Sequence, residues 1–90
     1  MNFEWDLRKA RLNLAKHGIS FEEAPTVFDD PLSLTAVDPD HSVSENRYLT
    51  FGMSYRGVLL QISHTERGNS IRIISAGPAT KSEIRMYEEG

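Results

Sequence analysis

Apolar residues recur along this chain with two different periods, and the change between them marks out its elements. Leu7, Ala10 and Leu14, at spacings of three and four in a run of good helix formers, predict a helix over 7–17. Asp6 precedes it, and Gly18 stops it as the residue after the C-cap. Ser20-Phe21-Glu22-Glu23 reads as a capping box opening a second short helix through Phe28. Pro25 lacks the donor that the next turn wants, so this helix is expected to kink or to start late. From Leu32 the period becomes two, predicting strands over 32–37, 47–54, 58–64 and 70–76, with turn material at 38–42, 55–57 and 66–69. Leu60, Ile62 and His64 fall on one face of their strand. In the last strand Arg72, Ile74 and Ala76 would share one face, and Ile73, Ser75 and Gly77 the other. The last three strands, joined by tight turns, form an antiparallel meander. Thr80-Lys81-Ser82-Glu83 is a second capping box, starting a C-terminal helix on which Ile84 and Tyr87 share a face. Phe3-Glu4-Trp5 is expected to be a short edge strand beside the strand near residue 34.

This order specifies an α+β fold: two N-terminal helices packed on one face of an antiparallel four- to five-stranded sheet, with a C-terminal helix and a second face left partly open for a site. Ninety residues form a single domain, 1–90. A chain of this length buries roughly 60 to 65% of its surface, so its core is small and its stability marginal or completed by a partner. It has no cysteine. The absence of a long apolar run and of a basic-then-apolar leader leads us to expect a cytoplasmic protein with no membrane or redox role.

Charge changes the picture twice. The net value of −3 argues against nucleic acid, whose affinity comes largely from phosphate neutralisation. Yet residues 1–46 carry four Lys/Arg against nine Asp/Glu, while residues 47–90 carry six against four, and five of those six are arginines, the side chain suited to bidentate phosphate contact. Arg67 at a hairpin tip and Arg72 on the last strand are therefore candidates for holding a phosphate during cleavage; either could equally be a solvated surface cation. His64 could act as acid or base, or be a structural histidine at a strand end. Glu66 could orient an arginine or serve as a base. Lys81 and Arg85, one turn apart, add positive potential along the last helix. His17, expected at a helix C-terminus where the dipole favours its cationic form, is left outside the site. Asp38, Asp40 and His41 lack further ligands at a recognisable spacing and are read as turn chemistry, so no metal and no cofactor is expected.

Several motifs, taken in order, resemble the BrnT family of toxins: Phe3-Glu4-Trp5-Asp6, Asn13-Leu14-Ala15-Lys16-His17-Gly18, Phe21-Glu22-Glu23-Ala24, Val27-Phe28-Asp29-Asp30-Pro31, His64-Thr65-Glu66-Arg67-Gly68, and Arg72-Ile73-Ile74-Ser75-Ala76 followed by Ala79-Thr80 and a late tyrosine. The resemblance covers nearly the whole chain. It implies a RelE-like fold and the toxin role in a type II toxin–antitoxin pair: a metal-independent endoribonuclease that inhibits translation. The implied partners are a BrnA-like antitoxin, an RNA substrate, of which ribosome-associated mRNA is one candidate, and a higher-order complex that binds operator DNA. It also places Tyr87 where RelE-like nucleases use a tyrosine near the scissile phosphate. The candidate catalytic residues are thus His64, Glu66, Arg67 and Tyr87, with Arg72, Lys81 and Arg85 contacting RNA. One departure stands out. Where the family strand reads I-S-A-R, this chain has Gly77, then Pro78, which is expected to loosen the strand end and weaken the toxin, leaving an antitoxin-binding module as the alternative. A DNA-binding repressor acting alone is disfavoured by the acidic N-terminal half.

Overall fold

The computed structural model describes residues 1–40 and 46–90. His41 therefore lies outside the described residues. The chain runs β1 (Asn2–Glu4), α1 (Leu7–His17), a short 3₁₀ helix (Ala24–Asp29), β2 (Leu34–Val37), β3 (Arg47–Met53), β4 (Leu59–Arg67), β5 (Ser70–Pro78) and α2 (Lys81–Glu89). The strands form one mixed sheet in the order β1-β5-β4-β3-β2, antiparallel throughout except for β1, which pairs parallel to β5 with Phe3 beside Ile71. The first strand thus sits at the opposite edge from the one expected. Its aromatic side chains explain why: Phe3 meets Phe28 and Trp5 meets Phe21, both on the core side of the sheet.

Helix α1 starts and stops where its local signals place it. The Asp6 carboxylate accepts from the amides of Arg8 and Lys9, and Gly18 takes the left-handed conformation (φ 70°) that closes the last turn. The second predicted helix is instead a single 3₁₀ segment. The amide of Glu23 does donate to Ser20 Oγ, but the Glu23 carboxylate does not return to close a capping box. It accepts from Ser54 Oγ at 2.7 Å and lies 3.5 Å from Arg56, on the turn between β3 and β4. The chain therefore spends 20–23 in a turn and becomes helical only at Ala24, with Pro25 in the first turn, where its missing donor costs nothing.

One face of the sheet holds the core. Leu60 and Ile62 of β4 and Ile73 and Ala76 of β5 pack against Ile19, Phe21, Ala24 and Val27. Alternation places Gln61 on the opposite face, and Gln61 donates to the Glu83 carboxylate, so α2 lies over the other side. Ala10 of α1 and Ala24 and Val27 of the 3₁₀ segment all pack on the core face, so of the two helices expected there one is an α-helix and the other a 3₁₀ segment. Of the apolar stripe of α1 only Ala10 packs against the core: Leu7 is 69% and Leu14 51% exposed, and the buried residue of the helix is Asn13. Its side-chain amide accepts from the Ala76 amide at 3.1 Å and donates to the Ala76 carbonyl at 2.8 Å and to the Ile19 carbonyl at 3.0 Å. Beyond Arg72 the outer edge of β5 is no longer paired with β1, and Asn13 takes the place of the next strand residue.

A bulge in β5 re-sorts its faces. His64 is opposite Ile73 and Ser63 opposite Ser75, so Ile74 is the extra residue. Ile73 and Ala76 consequently share the core face, while Ser75 and Gly77 share the outer one, overturning strict alternation through 72–77. The ladder also continues to Leu60–Pro78, and the Ala79 amide donates to the Leu59 carbonyl at 3.1 Å. The strand end is not loosened by Pro78.

Candidate active site

The sequence-derived residues occupy separate environments. His64 is 4% exposed, its ring stacked on Tyr48 and edge-on to Phe28. Its Nε2 lies 2.7 Å from Thr50 Oγ1, which in turn lies 2.6 Å from Thr35 Oγ1. Burial pushes the imidazole down to about 4, so it is neutral at physiological pH. Tyr87 reaches from α2 to donate to Asp30 Oδ2 at 2.7 Å. The same oxygen accepts from the Met53 amide and Oδ1 from the Leu32 amide. Burial works to raise the Asp30 carboxyl, but the bonds from Met53, Tyr87 and Leu32 outweigh it and hold it below the ordinary carboxylate range. The Asp30 hydrogen bond, with burial adding to it, raises the Tyr87 phenol, so Tyr87 stays protonated as a donor. Gly52 allows this junction to close, since a Cβ there would stand 2.9 Å from Ser33 Cβ and 3.2 Å from Asp30 Oδ2.

Arg72 is ion-paired with Glu4 across the β1–β5 ladder at 2.8 Å. Glu66 and Arg67 are exposed at the β4–β5 hairpin, where Gly68 turns the chain at φ 60°. Lys81 and Arg85 are exposed on α2. Arg67 lies six positions along β4 from Gln61, which anchors α2, a distance of about 20 Å along a strand. His64, Glu66, Arg67 and Tyr87 do not line a common pocket. Asp38 and Asp40 join in a turn, the Asp40 amide donating to Asp38 Oδ1, and among the described residues no three His, Asp or Glu side chains gather as metal ligands.

The structure does bring together residues that sequence reasoning left apart. Asn13 fixes α1 along the edge of β5, so the C-terminal turn of α1 overhangs the outer face. A Cβ at position 77 would lie 3.5 to 3.7 Å from the His17 ring, an ordinary van der Waals contact. Lys9, Asn13, Lys16, His17, Ile74 and Ser75 surround a cleft of about 220 Å³ beside it. The spacing 9, 13, 16 was the available signal, since it puts both lysines on the stripe of Asn13; what hid it was the apolar stripe Leu7, Ala10 and Leu14, which drew attention to a neighbouring face of which only Ala10 packs against the core.

A mixed five-stranded sheet with one long N-terminal helix and a C-terminal helix is the fold of a known class of small toxins. The family model described as "Ribonuclease toxin, BrnT, of type II toxin-antitoxin system" matches residues 5–83, and the chain belongs to that family. The 1.1 Å crystal structure of the ribonuclease toxin BrnT from Brucella abortus superimposes with a TM-score of 0.66 at 21% identity, covering 90% of this chain and 99% of that one. No curated protein matches the chain. No helix among the described residues is long and apolar enough to cross a membrane.

Proposed function

We propose that this chain is a metal-independent endoribonuclease toxin that inhibits translation, attenuated by Gly77 and neutralised by a BrnA-like antitoxin. Family membership supports the ribonuclease reading, and the relation of position 77 to His17 carries the rest. An arginine there would begin in contact with an exposed imidazole and extend its guanidinium beside two lysines, where it would stabilise charge developing on a phosphate. Glycine removes that group and leaves the strand intact. Side-chain cations then do what a metal ion does in other nucleases, and the 2′-hydroxyl of the RNA is the nucleophile. Lys81 and Arg85, exposed on α2 over the same sheet face, extend the RNA track. Glu66 and Arg67, at the far hairpin, contact RNA or antitoxin. His64 and Tyr87 hold the scaffold, through Thr50 and Asp30 respectively.

Gly77→Arg tests this directly. Single-turnover cleavage of one oligoribonucleotide at equal folded concentration is expected to rise at least severalfold, and by roughly 10- to 100-fold if the arginine makes a charge-assisted bond worth about 1.5 to 3 kcal/mol in the transition state. Equal rates would remove position 77 from the site. Full retention of antitoxin binding with no cleavage by either protein would favour the binding-module reading.

A further inference from the structure

The cleft between α1 and β5 has the composition of an anion site. Helix α1 carries Arg8, Lys9, Arg11 and Lys16 and no Asp or Glu, in a half of the chain that is otherwise acidic. Of these, Lys9 and Lys16 line the cleft together with His17, and β5 contributes an exposed Ser75 hydroxyl. No carboxylate is among the lining residues. Several cations elsewhere are tempered: Arg72 is paired with Glu4, Arg56 lies near Glu23, and Lys81 and Arg85 share α2 with Glu83, Glu88 and Glu89, while Arg67 stands exposed at the distant hairpin. The stripe is also held rigidly, because Asn13, between the two lysines, is locked to the Ala76 backbone on both its donor and acceptor sides. The His17 ring lies beside Gly77, where an added Cβ would touch it at 3.5 to 3.7 Å.

Building on the ribonuclease reading, we propose that this cleft receives the scissile phosphodiester of RNA, with His17 as its acid–base residue and Lys9 and Lys16 as the counter-charges of the phosphate. The His17 imidazole takes the proton of the ribose 2′-hydroxyl. The 2′-oxygen attacks phosphorus and forms a 2′-O–P bond while the P–O5′ bond breaks. The departing 5′-oxygen takes a proton from water, leaving a 2′,3′-cyclic phosphate and a 5′-hydroxyl. Lys9 and Lys16 offset the charge that accumulates on the non-bridging oxygens. Ser75 donates to one of them.

The test uses a dinucleotide with a 2′-deoxy sugar at the 5′ position, which binds without being cut, and an all-ribose oligonucleotide, both with this chain and with the Gly77→Arg protein. Nuclear magnetic resonance titration is expected to move the amides of 16, 17, 75 and 77 and the His17 ring signals. The Lys9→Ala/Lys16→Ala pair should weaken dinucleotide binding about tenfold or more. His17→Gln should leave binding within a few fold, lower cleavage about 100-fold, and abolish the rising limb of the rate–pH profile. Lys9 and Lys16 are the other titratable groups lining the cleft, and β5 lines it with Ile74 and Ser75, neither of them titratable, so that limb reports His17. All three substituted side chains are exposed, and unchanged melting temperatures would confirm that folding is intact. Dinucleotide shifts centred on Arg67, or cleavage by His17→Gln at the parent rate, would overturn the proposal while leaving the ribonuclease reading in place. Binding in the cleft with no cleavage by any variant would sink the ribonuclease reading and the acid–base role, leaving the lysines as an anion site.

Discussion

Protonating His64 requires putting a charge into a cage of aromatic rings. Its folded value of about 4 lies below the ordinary 6.5, so between those limits the unfolded chain binds a proton that the folded chain refuses. Stability should therefore fall as pH drops from about 6.5 towards 4, with a slope of about 1.4 kcal/mol per pH unit, and level off below. Chemical denaturation at a series of pH values reads this slope, and His64→Leu should lack it whatever its absolute stability. Gly52 makes a steric demand instead: Gly52→Ala drives a methyl into Ser33 and the Asp30 carboxylate and should cost about 1 to 3 kcal/mol. At this scale the sequence was a poor guide to exposure and partners. His64 and Tyr87 have the right chemistry for catalysis, but exposure and partners are fixed by residues distant in sequence, Thr50 and Phe28 for one and Asp30 for the other.

Elements were legible where their signals are local. Both ends of α1 and the complete capping box of α2 could be read directly, because each depends on a few neighbouring residues. The face of α1, the partner of β1 and the bulge at Ile74 could not, since each is decided by contacts across the sheet. The cleft inherits that difficulty, for its two walls come from helix and strand segments far apart in the chain. Asn13 is the test of how those walls are joined. Asn13→Ala leaves the Ala76 amide and carbonyl buried without partners and should cost about 2 to 4 kcal/mol, with hydrogen exchange accelerating first at the end of β5. By contrast α2 has no buried residue and is fastened by Gln61–Glu83 and Tyr87–Asp30. Tyr87→Phe should free α2 selectively, seen as faster amide exchange over 81–89 with the sheet unaffected.

For the molecule as a whole, net charge misleads because the cations are organised and the carboxylates are committed elsewhere: Asp6 caps α1, Asp30 anchors α2, Glu23 ties the 3₁₀ helix to the β3–β4 turn, and Glu4 answers Arg72. An acidic antitoxin segment lying over Arg67 and Arg85 should protect them from arginine-selective modification, and its affinity should fall with salt. Cleavage by the Gly77→Arg protein should persist in EDTA; loss of robust activity with chelator would end the metal-independent reading.

The bond between Asn13 and Ala76 joins residues 63 positions apart, and β1 also waits for β5 before it can pair. Closing so long a loop is a late event in folding. During synthesis the helix that carries the cationic stripe emerges early, but its Asn13 bonds to Ala76 form only after the last strand has left the ribosome. A chain released before residue 76 therefore carries Lys9, Lys16 and His17 without the β5 wall of the cleft.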